Sequence, residues 1–131
     1  RAERRWDGYF ELPRINYRSC NGRPYRYAYG VSAAPGVDTL TWFEALAKVD
    51  VERGEAKVWH EPGLYPSEPV FVAAPGAATE DEGVVLSIGV DARARRSELT
   101  VLDAASFEPV ARAAVPHVIP FGFHAYHYDL G

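Results

Sequence analysis

Apolar and polar residues alternate with a period of two along most of the chain, the pattern of strands that turn one face to a core. Tyr25, Tyr27 and Tyr29 fall on one side, Arg26 and Ala28 on the other. Leu46 to Val51 alternates in the same way, and Glu52-Arg53-Gly54-Glu55 offers a hairpin turn into Ala56-Lys57-Val58-Trp59. Pro69 to Val72 is a short apolar run closed by Pro75-Gly76, and Val84 to Val90 and Glu98 to Leu102 flank an arginine-rich turn. Val110 to Val115 and Phe121 to Tyr128 complete the set. The pattern predicts about eight short strands and an all-β fold. The best helical stretch, Thr39 to Ala47, is short and rich in Thr, Trp and Phe, and ten prolines and eleven glycines argue against long helices. About eight strands suit two four-stranded propeller blades, although periodicity permits a small sandwich equally well.

Composition narrows the function. With 47% hydrophobic and 24% charged residues the chain is globular, and its net charge of −4 gives no general attraction to a phosphate backbone, so nucleic acid is not an expected partner. The single cysteine, Cys20, cannot form an internal disulfide, which suits a reducing compartment or indifference to redox. No apolar run is long enough to span a membrane. The chain opens on Arg1 in a charged segment and contains no Met, and it reads as a fragment or a processed chain.

Phosphate loops, CxxC pairs, Gly-x-Ser-x-Gly elbows and His-Glu-x-x-His helices are all missing, so nucleophilic catalysis has no support. Of the four histidines, His124 stands apart. It lies in Pro120-Phe121-Gly122-Phe123-His124-Ala125-Tyr126, where phenyl rings would exclude water from a metal held by a neutral imidazole. His127 is three positions on and would point to the opposite face of a regular strand. Glu68 lies between Pro66 and Pro69 at the start of an apolar strand, and Glu11 is flanked by aromatics and Pro13. A carboxylate in such a place needs a donor. The free ring N–H of a metal-bound histidine is one solution. A salt bridge to Arg14 or Arg18 is the other, and on pattern alone the commoner.

The same segments, taken in order, resemble the carotenoid cleavage oxygenases. They are Phe10-Glu11-Leu12-Pro13-Arg14-Ile15-Asn16-Tyr17, Gly22 to Gly30, Glu61 to Val72, Glu80 to Ser87 and Phe121-Gly122-Phe123-His124. The resemblance implies a seven-bladed β-propeller with an Fe(2+) ion on its axis, held by four histidines, three of them hydrogen-bonded to glutamates. Residues 1–131 would be the C-terminal part of that single domain, about two of its blades. On motif position His124 resembles the last iron ligand and Glu68 the glutamate behind it. Glu11 resembles another such glutamate, whose histidine would lie upstream of Arg1. His60, His117 and His127 fall outside the ligand motif and are read as structural. The implied reaction is oxidative cleavage of a conjugated C=C bond of a carotenoid or apocarotenoid by O2, with Phe71, Phe121, Phe123 and Tyr126 as candidate lining or core rings. The implied location is cytoplasmic, with room for peripheral membrane contact through other parts of the enzyme. No complete catalytic set is present in this chain. A catalytically incomplete structural or binding module is therefore the alternative, as is isomerohydrolase or stilbene-cleaving chemistry. Ala125 departs from the glycine that many relatives carry after the final ligand.

Overall fold

The computed structural model describes residues 2–37 and 42–128. Its strands are β1 (Glu11–Arg14), β2 (Tyr27–Ser32), β3 (Ala45–Asp50), β4 (Glu55–His60), β5 (Leu64–Tyr65), β6 (Val70–Ala73), β7 (Gly83–Asp91), β8 (Arg96–Asp103) and β9 (Pro109–Val115). A single helical turn, α1 (Tyr17–Cys20), follows β1. The strands form two antiparallel sheets. One is a four-stranded meander in the order β1-β2-β3-β4, and the other runs β5-β7-β8-β9, with β6 also paired to β7.

The core joins the two sheets. Tyr29, Val31 and Leu46 of the first pack against Val85, Leu102, Ala104 and Phe107 of the second. The Tyr29 ring stacks on Phe71 at 5.4 Å and on Phe107 at 6.3 Å, so one aromatic of β2 reaches two segments of the other sheet. A polar tie lies beside this core. Lys48 of β3, only 5% exposed, donates to Asp81 Oδ2 at 2.6 Å and to the carbonyl of Ala104 at 2.6 Å. Its ammonium also sits 4.1 Å from the centre of the Tyr27 ring. The Glu80 carboxylate accepts the backbone N–H groups of Arg26 and Tyr27, tying the entry of β2 to the β6–β7 connection.

Two irregularities place the functional residues. β5 and β6 lie end to end along the same edge of β7, because β8 occupies the other edge. Between them, Pro66 and Pro69 have no N–H to donate, so the ladder is interrupted over residues 66–69. Ser67 spans the gap, its hydroxyl donating to the Ile88 carbonyl at 2.6 Å, while the Ser87 hydroxyl donates to the Ser67 carbonyl at 2.8 Å. Gly89 allows the close approach, since a Cβ there would lie 2.9 Å from the Tyr65 carbonyl oxygen. The second irregularity is in β1, where Glu11 pairs with Val31 and Arg14 with Tyr29. Three steps on β1 match two on β2, a β-bulge, with Leu12 at a left-handed φ of 51°.

The structure corrects several expectations. Phe121 to Tyr128 is not a strand; the tail is irregular, because Pro116 and Pro120 cannot donate and no strand pairs with it among the described residues. Just before it, Ser97 Oγ bonds the Ile119 N–H at 2.8 Å and the Ile119 carbonyl at 3.2 Å. Of the helical stretch Thr39 to Ala47, residues 39–41 lie outside the described residues, and Ala45 onward is β3. Alternation did not predict β1 and β5, which have four and two residues and carry or adjoin prolines. Among the described residues, no helix is long and apolar enough to cross a membrane.

The buried ammonium yields a stability test. Lys48→Met leaves Asp81 Oδ2 and the Ala104 carbonyl without this donor, and is expected to destabilise the fold by about 3–5 kcal/mol in urea unfolding. Arg53→Met, at an exposed turn position, is expected to leave the midpoint unchanged.

Candidate functional site

The break between β5 and β6 turns Glu68 off the ladder and into the protein, where its side chain is 4% exposed. Three donors meet it there. Arg14 Nη2 donates to Oε2 at 2.9 Å, the Ala125 N–H to the same oxygen at 2.7 Å, and His124 Nδ1 lies 3.2 Å from Oε1. Burial on its own pushes the carboxyl up. The bonds from Arg14, the Ala125 amide and His124 outweigh it and hold the group below its ordinary value, so Glu68 is a carboxylate near neutrality. The salt bridge and the histidine contact, which pattern presents as alternatives, are both made, one on each oxygen.

An ionised carboxylate can only accept, so the proton of a neutral His124 sits on Nδ1 and the lone pair on Nε2. Nε2 has no partner among the described residues, and the side chain is 69% exposed. The expectation that aromatic neighbours wrap this imidazole is not met among the described residues. Phe121, Phe123 and Tyr126 are 48%, 73% and 68% exposed. An irregular tail does not stack successive rings on one face as a strand would. Phe121 instead packs on Trp42 at 4.8 Å, and Tyr126 lies beneath the Arg14 guanidinium at 4.5 Å. Phe71 is a core ring, stacked on Tyr29.

Glu11, His124 and Glu68 line one cleft with Arg14 and Tyr126. In an unbroken strand Glu11 and Arg14, three positions apart, would point to opposite faces. The bulge absorbs one residue and brings both to the same opening. Glu11 is exposed there and bonds neither Glu68 nor His124. His127 lines a different cleft, between Ile15 to Arg18 and β6. The strand argument for separating it from His124 therefore does not apply, yet the two histidines still line different clefts. His117 is exposed on the tail, and His60 closes β4 opposite Ala45. Cys20 is buried in α1 with Sγ 3.4 Å from Ser19 Oγ. Among the described residues, no group of three or more His, Cys, Asp or Glu is arranged to hold a metal ion, so the cleft offers one imidazole.

Sequence reasoning missed the part played by the Ala125 backbone, whose N–H and carbonyl bond Glu68 and Arg14. No residue type signals a backbone contact. The proline bracket around Glu68 was the only hint that the chain turns there.

Residues 1–129 match the family described as retinal pigment epithelial membrane protein. The mitochondrial carotenoid-cleaving dioxygenase of Homo sapiens is 44% identical over 119 residues, 90% of this chain and 20% of that protein. The carotenoid isomerooxygenase of Galleria mellonella is 43% identical over 127 residues, 88% of this chain and 23% of that protein. Cobalt-substituted apocarotenoid oxygenase of Synechocystis superposes with a TM-score of 0.85 at 32% identity, covering 92% of this chain and 25% of that one. The fold and the sequence thus point to one class, and the chain belongs to the retinal pigment epithelial membrane protein family, that of the carotenoid-cleaving dioxygenases. It spans about a fifth of the length of the curated relatives it matches.

Because the Glu68 carboxyl is held below its ordinary value of 4.5, what it contributes is complete above that pH and is lost as the pH falls through the lower, folded-state value. Hydrogen exchange at the Ala125 amide is the readout, with protection expected to hold at neutral pH and to collapse in acid. Equal protection throughout would mean that something other than this carboxylate docks the tail.

Proposed function

We propose that this chain is the C-terminal part of a single β-propeller domain in a non-haem Fe(II) dioxygenase, contributing about two of seven blades, and that alone it is a catalytically incomplete module. The observation that carries this reading is the pairing of an exposed imidazole, with Nε2 free, to a buried carboxylate on Nδ1. Metal-bound histidines usually donate their second ring N–H to such a partner. Residues in this arrangement fit an iron site, and His124 would hold the ion with three histidines from outside the described residues. A single neutral ligand cannot hold the ion tightly, which favours the incomplete-module reading over activity of the chain by itself.

When bound, iron supplies activation of O2 for cleavage of a conjugated C=C bond in a carotenoid or apocarotenoid substrate. The chain's own residues prepare the ligand. Glu68 keeps the proton on Nδ1 and the lone pair on Nε2, fixes the ring's rotation, and places a negative charge behind a neutral ligand. Glu11, exposed in the same cleft, would serve in the same way for a histidine outside this chain. The exposed rings of Phe121, Phe123 and Tyr126 supply apolar surface suited to a long, chargeless substrate or to other blades of the propeller.

In the full-length enzyme, His124→Ala is expected to abolish stoichiometric iron and carotenoid cleavage, whereas His127→Ala keeps both. Glu68→Gln is expected to retain some iron with affinity or rate lowered about 10–100-fold. Equal loss from the two histidine substitutions, measured by metal analysis of the purified proteins, would overturn the ligand assignment.

A further inference from the structure

The geometry points to Arg14 as a positioning residue for the imidazole, acting through Glu68 and the tail backbone; this rests on His124 being the metal ligand. One nitrogen, Nη2, donates both to Glu68 Oε2 at 2.9 Å and to the Ala125 carbonyl at 2.9 Å. The Ala125 N–H returns to Glu68 Oε2 at 2.7 Å, closing a ring of three groups drawn from β1, the β5–β6 break and the tail. The guanidinium face then covers the Tyr126 ring, with 4.5 Å from Cζ to the ring centre.

Three consecutive tail residues are therefore fixed by two side chains. His124 is held by Glu68, Ala125 by Glu68 and Arg14, and Tyr126 by Arg14. Among the described residues, no backbone–backbone hydrogen bond from a strand or turn supports 121–128, so no ladder would keep the imidazole in place if this clamp were lost. Two donors on Oε2 also fix the plane of the carboxylate, which leaves Oε1 facing Nδ1. Removing Arg14 leaves Oε2 with one donor and frees the Ala125 carbonyl, so both the carboxylate and the residue after the ligand gain freedom.

The contact is specific in a further way. Arg14 Nε is buried and has no hydrogen-bond partner, and the bonds to Glu68 and to the Ala125 carbonyl come from a single nitrogen. The site therefore uses a point donor rather than the guanidinium fork, and an ammonium at the same place can supply part of its function.

The test uses the full-length enzyme with Arg14→Met, Arg14→Lys and His124→Ala, reading Co(II) affinity, the ring 15N shifts of His124 in the metal-free protein, and the melting temperature. Arg14→Met is expected to weaken Co(II) binding about 10–100-fold and to replace the single Nδ1–H signal by averaged tautomers, and Arg14→Lys to recover much of both. Wild-type affinity and shifts in Arg14→Met would overturn the proposal. So would losses that follow the melting temperature alone and are not relieved by lysine. If His124→Ala retains stoichiometric Co(II), the ligand assignment itself fails, an outcome separate from either result at Arg14.

Discussion

A carboxylate whose side chain is 4% exposed sits where the two sheets and the tail meet, and the geometry of the cleft follows from the need to satisfy it. Burying such a charge costs several kcal/mol unless donors replace the lost water. Glu68 obtains them from a cation on β1, an amide of the tail and an imidazole, none close to it in sequence. Each donor is thereby fixed in turn. The carboxylate thus folds the tail onto the sheets and sets the tautomer of its histidine, so one electrostatic requirement serves both stability and ligand preparation.

The requirement can be met only because two strands are imperfect. A continuous strand from Leu64 to Ala73 would pair with β7 throughout, and Glu68 would be one more residue of a ladder. Prolines at 66 and 69 break the pairing, and the Ser67 hydroxyl bonds the Ile88 carbonyl while the Ser87 hydroxyl bonds the Ser67 carbonyl, so the break is held rather than loose. Likewise a regular β1 would aim Glu11 and Arg14 apart. The bulge turns both to one cleft, at the cost of a left-handed Leu12. Bulges near functional sites commonly re-aim side chains in this way. The regular strands β2, β3, β7 and β8 supply the rigid frame, with Tyr29 and Lys48 joining the sheets, on which the two irregular segments can be precise.

What the sequence made legible divides along the same line. Alternation found β2, β3, β4, β6, β7, β8 and β9, each of which has a paired neighbour. It failed at Phe121 to Tyr128, where alternate aromatics imitate a strand but prolines and the lack of a neighbour prevent one. The carboxylate was legible from its proline bracket and the imidazole from its motif, so the meeting of Glu68 with His124 was expected. The Arg14 salt bridge was expected only as the alternative to that contact and not alongside it, since weighing one partner against the other overlooks that a carboxylate has two oxygens and room for several donors. The openness of the site was hidden too. A cluster of rings in sequence suggests shelter, yet shelter is made by neighbours in space, and the rings around His124 are largely exposed.

That exposure bears on how such an imidazole could serve in a metal site. A divalent cation bound by one neutral ligand in water retains most of its hydration, and one carboxylate behind the ring adds attraction that salt and solvent screen. Affinity therefore has to come from bringing several such ligands together and excluding water from among them. The chain meets the local half of that demand. It fixes one ring, leaves its lone pair outward, and keeps the carboxylate that fixes it buried behind it. The outward half requires surfaces that cover Phe123 and Tyr126, which are 73% and 68% exposed. On the proposed reading, the surface that leaves the chain incomplete is the same surface that would enclose the metal once the other blades are in place.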